Sequence, residues 1–190
     1  MIGFLVHRLR STFWTLFYRT AGRLLFKHLG KGARFEGWID IPQRGGQIII
    51  GDQAHICRLV EFSVPPGGEL IVGDQVFIGR GVVISAHCRV AIGRHTMLGE
   101  FVSIHDNDHR LDQAELPVAE RGFVVNKLEI GTNCWIGAKA VLVRGSGMQE
   151  NCVLGAGAVL TRELLAGSTA VGVPAKPVNR SPSAKKIAHE

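Results

Sequence analysis

From Ile130 onward an apolar residue recurs at every sixth position: Ile130, Ile136, Leu142, Met148, Leu154, Leu160 and Ala166. Glycine directly follows four of these (Gly131, Gly137, Gly155, Gly167), and four residues after each comes a mostly small side chain: Cys134, Ala140, Ser146, Cys152, Ala158, Leu164 and Ala170. The same frame is legible upstream in three shorter blocks: Ile50, Ile56 and Phe62; Val72, Ile78 and Ile84; Ile92, Leu98 and Ile104. Pro65-Pro66-Gly67-Gly68 interrupts it after Phe62, and two extra residues separate the second block from the third. A period of six fits neither a helix nor a simple alternating strand. It fits a solenoid whose flat faces are one hexad long, three hexads to a triangular coil. Sixteen hexads predict an all-β parallel β-helix of about five coils, stacked at about 4.8 Å per coil. The aliphatic residue points into the prism, the small one fits the inner side of a corner, and glycine accommodates the corner backbone. Each coil pairs only with its neighbours, so both ends need caps.

The widest break follows Ile104. His105-Asp106-Asn107-Asp108-His109 opens a stretch, containing Pro117 and Gly122, that runs to about Lys127 before the frame resumes at Leu128. A regular solenoid has no cleft of its own, and loops of this length in compact proteins are usually functional. The stretch therefore predicts an extruded loop carrying the chemistry. Imidazole titrates close to neutral pH, so His105 suits a general base that activates a hydroxyl; the alternative is a loop histidine that caps a turn. Asp106, Asp108 and Asp112 either orient the imidazole or form ordinary turns through their own backbone. His109 is read as a substrate contact or a solvated loop residue, and His87 and His95 as surface or inter-subunit residues. Cys88, Cys134 and Cys152 occupy small inward positions and pack there, whereas Cys57 lies outside that position and has no assigned role. The four cysteines show no CxxC spacing, which argues against a zinc ribbon, a redox pair or a disulfide framework.

Ahead of the hexads lies a different pattern. Leu5, Leu9, Phe13, Phe17 and Leu24, with Ile2, Val6, Trp14 and Leu25 nearby, recur at helical spacing, while Arg8, Thr12, Thr15, Arg19, Arg23 and Lys27 tend to the other side. This predicts a basic amphipathic helix, broken near Gly22 and ending at Gly30 to Gly32. Composition sharpens the picture. The 190 residues, 46% hydrophobic and 20% charged with 24 glycines, suit one folded domain. Of the 22 basic residues, seven (Arg8, Arg10, Arg19, Arg23, Lys27, Lys31, Arg34) precede position 35, where there is no acid, so the remainder is nearly neutral against its 16 acids. A nucleic-acid protein would carry basic stripes through its folded body. No apolar run reaches the roughly 18 residues of a bilayer span, and Arg8 and Arg10 interrupt any signal-peptide core. The arm is therefore read as a retained segment of a cytoplasmic protein. It either lies on the anionic inner face of the cell membrane or caps the first coil and packs on a neighbour. The predicted organisation is an arm at 1–34, a β-helix domain at 35–178 with its loop at 105–127, and a polar tail at 179–190.

The hexads, together with HDNDHRLD (105–112), NCWIGAKAVL (133–142), NCVLGAGAVLTR (151–162) and VGVPAKPV (171–178), resemble the left-handed parallel β-helix acyltransferases. The likeness covers about Ile48 to Val178 and is greatest to sugar O-acetyltransferases of the maltose/galactoside and surface-polysaccharide type. Left-handedness is implied by the resemblance alone, since general rules favour right-handed crossovers. The resemblance implies acetyl-CoA as co-substrate, no metal, and a homotrimer with active sites between subunits. It matches His105 to the base that deprotonates the acceptor, with oxyanion donors among backbone N–H groups near Trp135 to Ala138. Ser85, Asp106, Asp108 and His109 are the implied acceptor contacts; Ser85 stands where relatives often have Asn, and Ala138 where they often have Ser. Trp135, Gly137, Ala138, Gly155 and Ala156 are implied to flank the pantetheine arm. Thr161, Arg162, Pro174 and Lys176, with Arg180, are implied to hold the nucleotide end, where basic side chains neutralise phosphate. The function implied is acetyl transfer to a sugar of a surface polysaccharide or lipid-linked precursor. The alternatives are N-acetylation of an amino sugar, a metal hydro-lyase resembling the γ-type carbonic anhydrases with His87, His105 and His109 as ligands, and a non-catalytic scaffold.

Overall fold

The computed structural model describes residues 2–178, so the tail predicted at 179–190, Arg180 included, lies outside the described residues. A helix, Ile2–Ala21, and a 3-10 turn, Gly22–Leu24, lead into a parallel β-helix. Three parallel sheets form its faces. The first carries seven strands, from His28–Leu29 to Glu163–Leu164; the second carries seven, from Arg34–Phe35 to Thr169–Val171; the third carries six, from Ile39–Asp40 to Val159–Leu160. These make six complete coils and two strands of a seventh, more than the five expected. The additional first coil begins at His28, inside the stretch assigned to the arm. Leu29, Phe35 and Ile41 already keep the six-residue spacing, and Phe35 and Ile41 are buried.

Register shows where the coil length varies. Inward residues are six apart from the first face to the second in every coil (Ile50 to Ile56, Ile130 to Ile136), and again from second to third (Ile56 to Phe62, Ile136 to Leu142). The third corner absorbs every irregularity: Phe62 to Val72 is ten positions, Ile84 to Ile92 eight, Ile104 to Ile130 twenty-six, Leu142 to Met148 six and Leu160 to Leu164 four. That last contraction corrects the frame at its end. Leu164, not Ala166, pairs with Met148 and is buried, while Ala166 is exposed.

The corners also correct the expected role of glycine. The first corner passes through the left-handed region in all seven coils, at Gly32, Gln53, Gln75, His95, Asn133, Asn151 and Gly167, and most of these are not glycine. Amide side chains bridge successive coils there, Gln75 Nε2 donating to Gln53 (2.9 Å) and Asn133 Nδ2 to Asn151 (2.8 Å). Glycine is needed one residue after the inward apolar residue instead. A Cβ on Gly137 would stand 2.4 Å from the Ala156 nitrogen of the next coil, closer than any side chain tolerates.

The core is one column of Ile, Leu, Val and Phe running the length of the prism, with Cys134, Ala140, Ser146, Cys152 and Ala158 buried at the small positions. Both ends are covered. At the start, Tyr18 is fully buried against Phe26 and Phe35 (ring centroids 5.8 and 4.6 Å), and its hydroxyl accepts the Ile39 N–H at 2.8 Å. Thr15 Oγ accepts the Phe35 N–H at 3.1 Å. The helix thus caps the first coil. At the far end, VGVPAKPV folds back so that Lys176–Pro177 pairs antiparallel with Thr169–Val171.

Candidate active site

His105 ends the third-face strand Ser103–His105 at the irregular corner, where the chain leaves the prism. Ile104 points inward, so strand alternation puts Ser103 and His105 together on the outer face. His105 Nε2 lies 2.7 Å from Ser103 Oγ. Burial lowers the imidazole pKa below its ordinary 6.5; Asp108, Asp106 and Glu61 oppose that shift, and His87 adds to it. The ring is therefore neutral, and able to take a proton, near pH 7.

The next residue does something else. Asp106 is fully buried and receives three backbone N–H groups from the neighbouring coil: His87 at 2.8 Å, Cys88 at 2.7 Å and Arg89 at 2.7 Å. Its own N–H donates to the Ser85 carbonyl (3.2 Å), and its carbonyl accepts the Asn126 N–H (2.8 Å), where the loop returns. Asp106 anchors both stems of the loop and has no oxygen free for an acceptor. Ser85 pairs with His105 in register but is buried, its hydroxyl donating to Asn107 at 2.9 Å. Both side chains are committed to holding the loop, Asp106 through the backbone of the neighbouring coil and Ser85 through Asn107.

Beyond this clasp the loop forms an antiparallel hairpin, Asn107–His109 against Phe123–Val125. Phe123 sits between two imidazoles, 4.5 Å from His109 and 4.5 Å from His87. Burial lowers the His87 pKa, Asp106 opposing and His109 reinforcing the shift. Asp108 accepts a charged hydrogen bond from Arg144 Nε at 2.9 Å. Asp108, His109, Leu111, Asp112, Val124 and Arg144 line an open basin of about 540 Å³; His105 is not in its lining. Asp112 is paired with Arg110 instead of the imidazole (2.7 Å). Ser103, Phe123 and Arg144 were not singled out by sequence reasoning. For Ser103 a signal existed, since it stands two residues before His105 on a strand.

The residues implied for a cofactor fall into two groups. Thr161, Arg162, Pro174 and Lys176 line one cavity of about 320 Å³ with Leu164 and Ala175 at the C-terminal end. Trp135, Gly137, Ala138, Gly155 and Ala156 lie on the outer side of the second face and its corner, on the fifth and sixth coils. Trp135 is 58% exposed, an open apolar surface, whereas Gly137 is buried and has a packing reason of its own. The Ala138 N–H has no acceptor among the described residues, unlike those of Trp135 and Gly137, which bond to Cys152 and Leu154. VGVPAKPV, besides supplying Pro174 and Lys176, closes the solenoid through Ala175 N–H to Val159 O (2.7 Å) and Val178 N–H to Thr169 O (2.8 Å). His87, His105 and His109 do not meet as metal ligands within one chain; among the described residues the one such group is Glu36, His55 and Cys57.

Residues 127–162 match the family described as hexapeptide repeat of succinyl-transferase. A probable acetyltransferase of Mycobacterium tuberculosis is 36% identical over 152 residues, 79% of this chain and 48% of that protein. The chain spans under half the length of the two curated relatives it matches, 48% and 43%. Among solved structures, AntD, an N-acyltransferase from Bacillus cereus complexed with dTDP-4-amino-4,6-dideoxyglucose and coenzyme A, superposes with a TM-score of 0.71. It covers 87% of this chain and 90% of its own at 16% identity. A maltose O-acetyltransferase from Clostridium difficile gives a TM-score of 0.52 over 83% and 71% at 22% identity. The repeat and the fold of the hexapeptide-repeat acyltransferases are both present in this chain.

Proposed function

We propose that the protein is an acetyl-CoA-dependent acetyltransferase that modifies a sugar hydroxyl, with His105 as general base. The observation that carries the reading is a neutral, partly buried imidazole at the one corner where the coil opens, on a fold whose relatives are acyltransferases. His105 takes the proton of the acceptor hydroxyl as its oxygen attacks the thioester carbonyl. The carbon–sulfur bond breaks, and the imidazolium returns the proton to the departing thiolate, so the chain forms no covalent intermediate. Arg162 and Lys176 neutralise the phosphates of the donor, and the Ala138 N–H is available to the carbonyl oxygen. The basin beside the loop, with Asp108, His109 and Arg144, receives the acceptor and is completed by a second subunit of a trimer. Surface-polysaccharide or lipid-linked sugars fit a cytoplasmic enzyme held at the inner face of the membrane by its N-terminal helix.

Calorimetry with acetyl-CoA, run with a chelator and followed by turnover on hydroxyl and amino sugars, tests this. Binding that survives chelation and turnover on a hydroxyl sugar support it. Turnover on amino sugars alone would reassign the chain to N-acetylation, a reaction closer to that of the N-acyltransferase AntD. No binding at millimolar donor by the folded protein would end the transferase reading.

A further inference from the structure

Cys57, which the hexad pattern leaves without a role, belongs to a cluster on the opposite side of the third face from the loop corner. Phe35 and Ile56 are inward partners in adjacent coils. Alternation therefore puts Glu36, one residue after Phe35, and His55 and Cys57, flanking Ile56, on one outer surface. A carboxylate oxygen, an imidazole nitrogen and the Cys57 sulfur there lie within 4.8 Å of one another.

We propose that Glu36, His55 and Cys57 form a site for a divalent cation of the zinc class, which ties the first coil to the second. The site is independent of acyl transfer. Thiolate, imidazole and carboxylate together are a zinc or cobalt(II) set, since magnesium and calcium take oxygen ligands only. Ligands at about 2.0–2.3 Å from zinc stand roughly 3–4 Å apart. His55 Nε2 and Glu36 Oε1 are 2.8 Å apart and need only to part slightly. Backbone bonds fix the cradle: Glu36 N–H to Ile56 O at 3.0 Å and Cys57 N–H to Ile78 O at 2.9 Å. The His55 ring stands edge-on to Phe77 at 5.3 Å. Three protein ligands leave a fourth position for water.

Metal binding displaces the Cys57 proton to solvent, since the thiolate is the ligand.

The test uses the full-length protein, stripped with a chelator and titrated with cobalt(II). Thiolate-to-cobalt charge-transfer absorption should appear in the near ultraviolet at one equivalent and be displaced by zinc. It should be absent in Cys57→Ser and at least tenfold weaker in His55→Ala, whose partly exposed side chain can be lost without emptying the core. Zinc should raise the melting temperature of the wild type and of His105→Ala alike, but not of Cys57→Ser. No charge-transfer band in folded wild type, or an equal band in Cys57→Ser, would overturn the proposal. Neither outcome depends on whether the chain binds acetyl-CoA.

Discussion

Ser103 and His105 share one strand and one face, hydroxyl to imidazole nitrogen at 2.7 Å. Ile104 between them is fixed in the core, so the pair is held from below while the ring reaches the open corner. His105→Ala should lower turnover by about 10² to 10⁴ while acetyl-CoA binding is unchanged, read by steady-state kinetics beside calorimetry. Because burial lowers the histidine pKa below 6.5, kcat/KM should rise with pH through an inflection below that value and then level off. The base is neutral above its pKa and lost as pH falls through it. Ser103→Ala should reduce kcat by less than about tenfold and move the inflection; a rate and pH profile equal to wild type would show that Ser103 does not position the ring.

Asp106 holds the loop to the neighbouring coil. An amide has one acceptor oxygen, so Asp106→Asn leaves at least one of the three backbone N–H groups unmet in a buried place. The expected local cost is about 1–3 kcal/mol, which limited proteolysis would report as roughly 5- to 150-fold faster cleavage within 107–125. Cleavage no faster than in wild type would contradict the anchoring role.

The helix caps the first coil with one side and leaves an apolar stripe on another side exposed. Tyr18→Phe removes the acceptor of the Ile39 N–H and should cost about 1–3 kcal/mol, a loss of roughly 2–12 °C in Tm for a chain of this size. Leu9, Phe13 and Leu16 sit at i, i+4 and i+7 and are 63%, 61% and 62% exposed. Replacing all three with Ser should change Tm by no more than about 6 °C yet abolish co-flotation with anionic vesicles at low salt. Equal flotation of the variant and wild type would remove the membrane reading of that stripe.

Much of the architecture was legible because a solenoid repeats one local rule. Every coil must bring an apolar side chain inward at each face, and Ile130, Ile136 and Leu142 report that directly. The coil starting at His28 was legible too, through Leu29, Phe35 and Ile41, but its start lay within the segment read as an arm. Tyr18 gave no such signal. Its value comes from a hydrogen bond to Ile39, twenty-one residues on, which no helical periodicity encodes. The exposed apolar stripe was likewise hidden, since periodicity marks an apolar face without saying which part of it the first coil covers.

In the site, the sequence by itself determined where the hexads stop and that His105 opens the break there. Only the tertiary structure separated the neighbours of that histidine by task. Asp106 and Ser85 look as available as Asp108 and His109 in a list of residues. The first two face the adjacent coil and are consumed by its backbone and by Asn107; the latter two face the open basin. The same holds for Glu36, His55 and Cys57, which adjacent coils bring together across nineteen or more residues of chain. Local spacing dictates which side of a strand a residue faces. What that side meets depends on the neighbouring coil, and the distance to it in sequence changes wherever the third corner lengthens.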